Sequence, residues 1–128
     1  MTAVDVRGVD NALFAVGDLD AAVAFYAGRL GLPLAIRVDA AGMALFRLGA
    51  ERPGLLVRVA ADPGGARLWL ETGDARVTAD ALRAAGVALA GEPFAVRTGW
   101  VVEVADPWGN VLGFTDYTLR PEMARPVT

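Results

Sequence analysis

The chain of 128 residues contains no cysteine and no histidine, and its 12 basic residues are all arginine. Without cysteine there is no disulfide, no thiolate metal site and no thiol nucleophile. Without histidine the commonest general base and the commonest metal ligand are gone as well. Few catalytic mechanisms survive both losses. No apolar run approaches the roughly 20 residues needed to span a bilayer. The start, Met1-Thr2-Ala3-Val4-Asp5, lacks the basic and apolar regions of a signal peptide, so the cytoplasm is the expected location. A net charge of −3 leaves no basic surplus to neutralise phosphates, which argues against nucleic acid as a partner and weakly favours a cationic ligand. The absence of lysine fits codon usage in a GC-rich genome. It also means that every basic group can grip planar or anionic groups with a fixed fork of donors.

What the chain has is apolar bulk and a repeat. With 55% apolar residues it can form one compact domain that buries about two-thirds of its unfolded surface. Apolar and polar residues alternate over Asn11 to Val16, the mark of a strand. Asp18 then caps a helix predicted from Leu19 to Leu30, which Gly31 ends. Strand-like runs follow at Leu34 to Val38, Met43 to Leu48 and Leu55 to Ala60, separated by Ala-Gly and Arg-Pro-Gly turn signals.

The pattern then recurs. A strand is predicted over Arg67 to Glu71, a helix over Ala75 to Ala85, and strands around Ala95, at Trp100 to Val104 and at Val111 to Thr115. Laying Gly17-Asp18 on Gly73-Asp74 gives an offset of 56, whereas Gly54 laid on Gly109 gives 55, as though one residue were lost in between. The expected fold is α+β, with two paired β-α-β-β-β modules of about residues 9–60 and 66–116 forming cup-shaped sheets in a single domain, 1–120. The proline-containing tail, 121–128, is expected to be an extended arm or a frayed terminus.

Two stretches carry a family resemblance. Asp18-Leu19-Asp20, Phe25-Tyr26 and Leu30-Gly31-Leu32 follow a "DLD…FY…LGL" pattern, and Asp106-Pro107-Trp108-Gly109-Asn110 leads into Val111-Leu112-Gly113-Phe114. In this order and at this separation they resemble the vicinal-oxygen-chelate superfamily of glyoxalases, extradiol dioxygenases and bleomycin-resistance proteins, over nearly the whole chain. The resemblance implies a cup that binds a ligand, and favours a homodimer, with each cup formed either within one chain or by modules of two. In the family's metalloenzymes a glutamate ligand usually follows the motif's asparagine by three positions, and here that position is Gly113. The four ligand positions carried over from the family fall on Asn11, Arg58, Arg67 and Gly113. That donor set implies no metal, because two guanidinium groups would repel a divalent ion by several kcal/mol at short range, and no cofactor is expected.

Strand parity separates the two faces of each sheet. Ala12, Phe14, Val16, Leu68, Leu70, Leu112 and Phe114 are expected to face the helices. The opposite set faces the cup: Asn11, Leu13 and Ala15; Arg67, Trp69 and Glu71; Val111, Gly113 and Thr115. Arg47, Leu56, Arg58, Val101 and Glu103 share this parity, and Arg37 and Arg97 are weaker members. Gly113 is expected to leave room on the cup floor for a larger molecule. Trp108 is expected at the cup rim, while Phe25 and Tyr26 are expected in the core. The candidate ligand-binding residues are therefore Asn11, Leu13, Arg47, Arg58, Arg67, Trp69, Glu71, Glu103, Trp108 and Gly113. Each also has a purely structural role open to it: the tryptophans as packing residues, and the arginines in a charge network with Glu71 and Glu103.

An interior with tryptophan, arginine and a few carboxylates suits a flat, polar, partly aromatic ligand. The leading functional expectation is sequestration, without chemical change, of an aromatic or glycopeptide natural-product antibiotic such as a bleomycin, mitomycin or enediyne. The alternative is a metal-independent enzyme of small-molecule metabolism, a lyase, isomerase or hydrolase-like protein, with Glu71 or Glu103 as base and an arginine stabilising an enolate or phenolate. An arginine beside the carboxylate would lower its pKa and weaken it as a base.

Overall fold

A computed structural model of the protein describes residues 4–7 and 9–126. The expected domain start at residue 1, the Met1-Thr2-Ala3 stretch read for a signal peptide, and Val127 and Thr128 of the tail lie outside the described residues. The first module comprises β1 (Asn11–Val16), α1 (Leu19–Val23), β2 (Leu34–Val38), β3 (Met43–Arg47) and β4 (Gly54–Val59). The second comprises β5 (Arg67–Glu71), α2 (Ala75–Ala84), β6 (Phe94–Val96), β7 (Gly99–Ala105) and β8 (Val111–Thr115). The expected α+β architecture of two β-α-β-β-β modules is the one observed.

Each module forms a four-stranded mixed sheet, in the orders β1-β4-β3-β2 and β5-β8-β7-β6. The first and last strands of a module pair in parallel, and the other pairings are antiparallel. Both helices start where a side chain satisfies free N–H groups: Asp18 accepts from Ala21 N at 2.8 Å, and Asp74 from Arg76 N at 2.9 Å. Helix α1 runs into a wider π-helical turn, Ala24–Arg29, which carries the ring of Tyr26 into the core between Phe14 and Phe46. The helix-facing sides of both sheets bury one continuous cluster, including Phe14, Tyr26, Phe46, Leu82, Val102 and Leu112.

The pairing register corrects the expected repeat. Asn11 lies opposite Gly54 and Arg67 opposite Val111, so an offset of 56 on the first strands becomes 57 on the last. One residue is gained between the halves rather than lost. The first-module counterpart of Gly113 is consequently Leu56, across from Leu13, and not Arg58. Matching Gly54 with Gly109 misled the count because Gly54 begins β4, paired with Asn11, whereas Gly109 lies in the turn before β8.

The modules are tied together by the turn between β7 and β8. Asp106 is buried, with Oδ1 accepting from the N–H groups of Trp108 and Asn110, both at 2.9 Å, and Oδ2 accepting from the Tyr26 hydroxyl at 2.7 Å. Asn110, also buried, donates to the Ala15 carbonyl at 2.7 Å and accepts from Ala66 N at 3.1 Å. Burial, then the bond to the Asp106 carboxylate, pushes the Tyr26 phenol well above its ordinary range. Gly17 permits the close approach: a Cβ there would lie 2.3 Å from Trp108 Nε1.

A second buried carboxylate ends the last strand. Asp116 accepts from Ala75 N at 2.7 Å, Trp100 N at 2.9 Å and Thr118 Oγ1 at 2.7 Å. Burial alone would raise its pKa, but these donors outweigh burial and hold it below the usual carboxylate value. The tail differs from a frayed terminus over its described length. Pro121–Met123 forms a 3-10 turn, and Arg125 bonds Glu71 with its backbone N–H at 2.9 Å and its guanidinium at 2.6 Å. The same guanidinium reaches Glu51, between β3 and β4.

Candidate functional site

Residues paired across neighbouring strands point to the same face, so the register defines the side of each sheet turned away from the helices. On the second sheet Trp69, Gly113 and Glu103 form one row across β5, β8 and β7: Trp69 opposes Gly113, which opposes Glu103. The Trp69 indole crosses the middle strand and donates its N–H to Glu103 Oε2 at 2.8 Å. The same oxygen accepts from Arg67 Nη1 at 2.7 Å. Trp69 remains 42% exposed, so it offers a surface while its indole edge is fixed, and Phe94 on β6 extends the aromatic strip with ring centroids 6.4 Å apart.

Gly113 therefore does not leave an open space on the floor, contrary to the sequence reading. A Cβ at this position would stand 2.4 Å from Trp69 Cδ1 and 2.7 Å from Nε1, because the indole occupies that space. The expected charge network is realised only in part. Arg67 pairs with Glu103, but Glu71 pairs with Arg125 of the tail, and Arg47 and Arg58 have no acidic partner among the described residues. The backbone N–H of Arg125, then its side chain, holds the Glu71 carboxyl below the ordinary glutamate value. An ionised, doubly bonded carboxylate is a poor general base.

The first sheet is different in character. Leu13, Leu45, Leu56 and Met43 share its open face with Ile36 and Val38. Of these, Leu45, Leu56, Met43, Ile36 and Val38 border an apolar cavity of about 220 Å³ whose lining includes Asn11. Leu13 and Ile36 are more than half exposed, at 55% and 56%. Asn11 stands at the edge of this cavity, but its Oδ1 already accepts from Gly54 N at 3.0 Å, tying β1 to β4. Arg58 lies on the same face, with its guanidinium 3.9 Å from Met43 Sδ, and Arg47 is exposed at the sheet's end.

Two predicted positions fall elsewhere. Trp108 packs over Gly17 against the core cluster, in the turn that joins the modules. Arg37 lies on the helix side, bonded to Asp39 at 2.8 Å and to Asp20 of α1. The structure thus brings Arg67, Trp69, Glu103 and Gly113 together, places Asn11, Leu13, Arg47 and Arg58 on the first sheet's open face, and turns Glu71 towards the tail. Glu71 and Arg125 line a separate cavity of about 420 Å³ with Thr72, Tyr117, Thr118 and Pro121. The partnership of Phe94 with Trp69 was missed because β6 has only three residues, too few for alternation to show which side is open.

The donor set does not fit a divalent metal. Asn11 is bonded to backbone, Arg67 is cationic, Gly113 has no side chain, and the fourth position is Leu56 by register or Arg58 by sequence. Among the described residues no group of three or more His, Cys, Asp or Glu side chains is arranged to hold a metal ion. Among the described residues no helix is long and apolar enough to cross a membrane.

Comparison with known proteins places this geometry. The family model described as Glyoxalase/Bleomycin resistance protein/Dioxygenase superfamily matches residues 8–114. TnmS3, an antibiotic binding protein from Streptomyces sp. CB03234, is 25% identical with a TM-score of 0.79 over 90% of this chain and 99% of its own. A glyoxalase/bleomycin resistance protein from the same Streptomyces is 28% identical with a TM-score of 0.68, over 82% of this chain and 98% of its own. Lactoylglutathione lyase from Agrobacterium tumefaciens shares the fold, at 19% identity and a TM-score of 0.73 over 91% of this chain and 98% of its own. No curated protein matches the sequence.

Proposed function

The chain belongs to the glyoxalase/bleomycin resistance protein/dioxygenase superfamily, and from that premise we propose that it binds and sequesters an aromatic or glycopeptide natural-product antibiotic without altering it. The observation that carries this reading is the Trp69 indole, laid across the second sheet with its N–H bonded to Glu103 and the residue still 42% exposed. An exposed aromatic plane held in place by its own edge is a stacking surface that loses little conformational freedom on binding. Arg67 beside it and Arg58 on the neighbouring sheet offer donors for carbonyl or phenolate oxygens. The apolar face of Leu13, Ile36 and Leu56 offers a dry wall for the remainder of such a molecule.

The antibiotic-binding relative TnmS3 supports this class of ligand over a small dicarbonyl. Protection of a cell needs a dissociation constant near or below ~1 μM, about 8 kcal/mol, which a stacked ring with a few arginine hydrogen bonds can supply. We further propose a cytoplasmic homodimer. The exposed Leu13 and Ile36 are costly to leave in water and suited to coverage by a second copy. Sedimentation of the purified protein as a monomer at micromolar concentration would remove the dimer.

The binding reading is tested by quenching of tryptophan fluorescence with bleomycins, mitomycins, enediynes and flavin-like molecules, followed by mass analysis of whatever was bound. Tight binding with the ligand recovered intact supports sequestration. A ligand recovered chemically changed would make the protein an enzyme.

A further inference from the structure

We infer that Gly113 and Glu103 are positioning residues which set Trp69 as a fixed platform with unused Arg67 donors at its edge, so that the site selects planar aromatic ligands carrying an anionic oxygen. This rests on the binding reading above and adds to it a ligand class and the residues that impose it. Three strands in register supply the geometry. Trp69, Gly113 and Glu103 are direct cross-strand neighbours, so the indole must pass over β8 to reach β7. Strands are spaced ~4.8 Å apart, and an indole laid nearly flat on the sheet is long enough to cover the distance from β5 to a carboxylate on β7. Any side chain at position 113 would meet the ring, at 2.4 Å for the first carbon alone.

The carboxylate at the far end does two things at once. Glu103 Oε2 holds the indole N–H at 2.8 Å and Arg67 Nη1 at 2.7 Å, which fixes the guanidinium beside the ring. Arg67 keeps its Nε and Nη2 donors without a partner among the described residues, and its side chain is 61% exposed. The open faces also hold Arg47 and Arg58 without acidic partners, while Glu71 is already matched by Arg125. The local balance is therefore positive although the chain as a whole carries −3. An aromatic ring stacked on Trp69 with a carboxylate or phenolate at its edge would meet those donors, and a neutral analogue would forgo the charge-assisted bond.

The probes are 3-hydroxy-2-naphthoate and its neutral carboxamide, titrated against wild-type protein, G113A and R67Q. The near-UV dichroism of each free protein is compared with that of W69F to isolate the Trp69 signal. Wild type should bind the acid about 10-fold more tightly than the amide, the worth of one charge-assisted hydrogen bond. G113A should lose the Trp69 signal in the free protein and weaken both probes by roughly 10-fold or more, the range of a lost aromatic stack. R67Q should keep the Trp69 signal and bring the two affinities together. Retention of the Trp69 signal in G113A overturns the seat, whatever binds. Equal affinity of wild type for the two probes, or an unchanged preference in R67Q, overturns the anionic class. Failure of wild type to bind either probe overturns that class and counts against the binding reading, while the dichroism still decides the seat. Should G113A not fold, E103A provides the same comparison by releasing the indole N–H from β7.

Discussion

Replacing Tyr26 with phenylalanine removes one oxygen atom and tests the joint between the modules. The ring stays, with its packing against Phe14 and Phe46, so the change isolates the 2.7 Å bond from the hydroxyl to Asp106. Asp106 keeps three donors, the N–H groups of Trp108 and Asn110 and the Asn110 amide, and is not left as an unpaired charge. The expected loss is that of one buried hydrogen bond to a charged acceptor, about 1.5–3 kcal/mol. Urea unfolding followed by far-UV dichroism should show a lower midpoint at unchanged slope. Alkali gives a second handle. Because the phenol's folded pKa is raised, its contribution is fully present below the unfolded value of ~10 and is lost as pH rises above it. The gap between wild type and Y26F should therefore narrow above pH ~10. A gap below about 0.5 kcal/mol at neutral pH, or one that stays constant into alkali, would refute the joint.

Three further outcomes follow from the same structure. Asp116→Asn should cost roughly 2–4 kcal/mol near neutral pH, since its buried acceptor oxygens serve several donors. Its depressed folded pKa makes that contribution present above the unfolded value of ~4 and lost as pH falls through the folded one, so wild type and variant should converge in acid denaturation curves. Arg125→Ala should change global stability by no more than ~1 kcal/mol, because the guanidinium is largely exposed. It should nonetheless speed limited proteolysis after Arg120 and raise the Glu71 titration midpoint followed by carboxyl NMR. Trp69→Ala should cost about 1–3 kcal/mol of affinity for any aromatic ligand that binds, measured by calorimetry, and an unchanged affinity would return Trp69 to a packing role.

The strands were legible because alternation and turn residues agree: β1, β2, β5 and β8 begin and end where the pattern places them. The faces were legible for the same reason, and parity alone put Arg67, Trp69, Glu103 and Gly113 on one side. Contacts between residues were harder to read. Nothing in the sequence distance between Trp69 and Gly113 says that one fills the space left by the other, since that depends on the register of β5 against β8. Nor did the tail's two prolines announce that Arg125 would reach back 54 residues to Glu71. Parity also failed at Arg37. The pairing of β2 with β3 shifts between Leu34 and Ile36, and that irregularity leaves Arg37 opposite Ala44 on the helix side.

The buried polar groups explain why the platform can be rigid on an otherwise open face. Asp106, Asn110 and Asp116 are the buried polar residues of the described chain, and all lie in the second module. Asn110 immediately precedes β8 and is bonded to Asp106, to Ala15 of the first module and to Ala66 at the start of β5. Asp116 immediately follows β8 and is bonded to the start of α2 and of β7. Strand β8 is thus clamped at both ends, with Gly113 at its centre. A glycine would ordinarily weaken a strand interior. Here the clamps on either side carry the strand, and the glycine is free to serve the indole above it. Hydrogen exchange of the β8 amides should accordingly be as slow as that of the core strand β7, and Asp116→Asn should accelerate it from the Thr115 end inwards. A uniform acceleration along the whole strand would mean that β8 opens as one unit and that the clamps do not act separately.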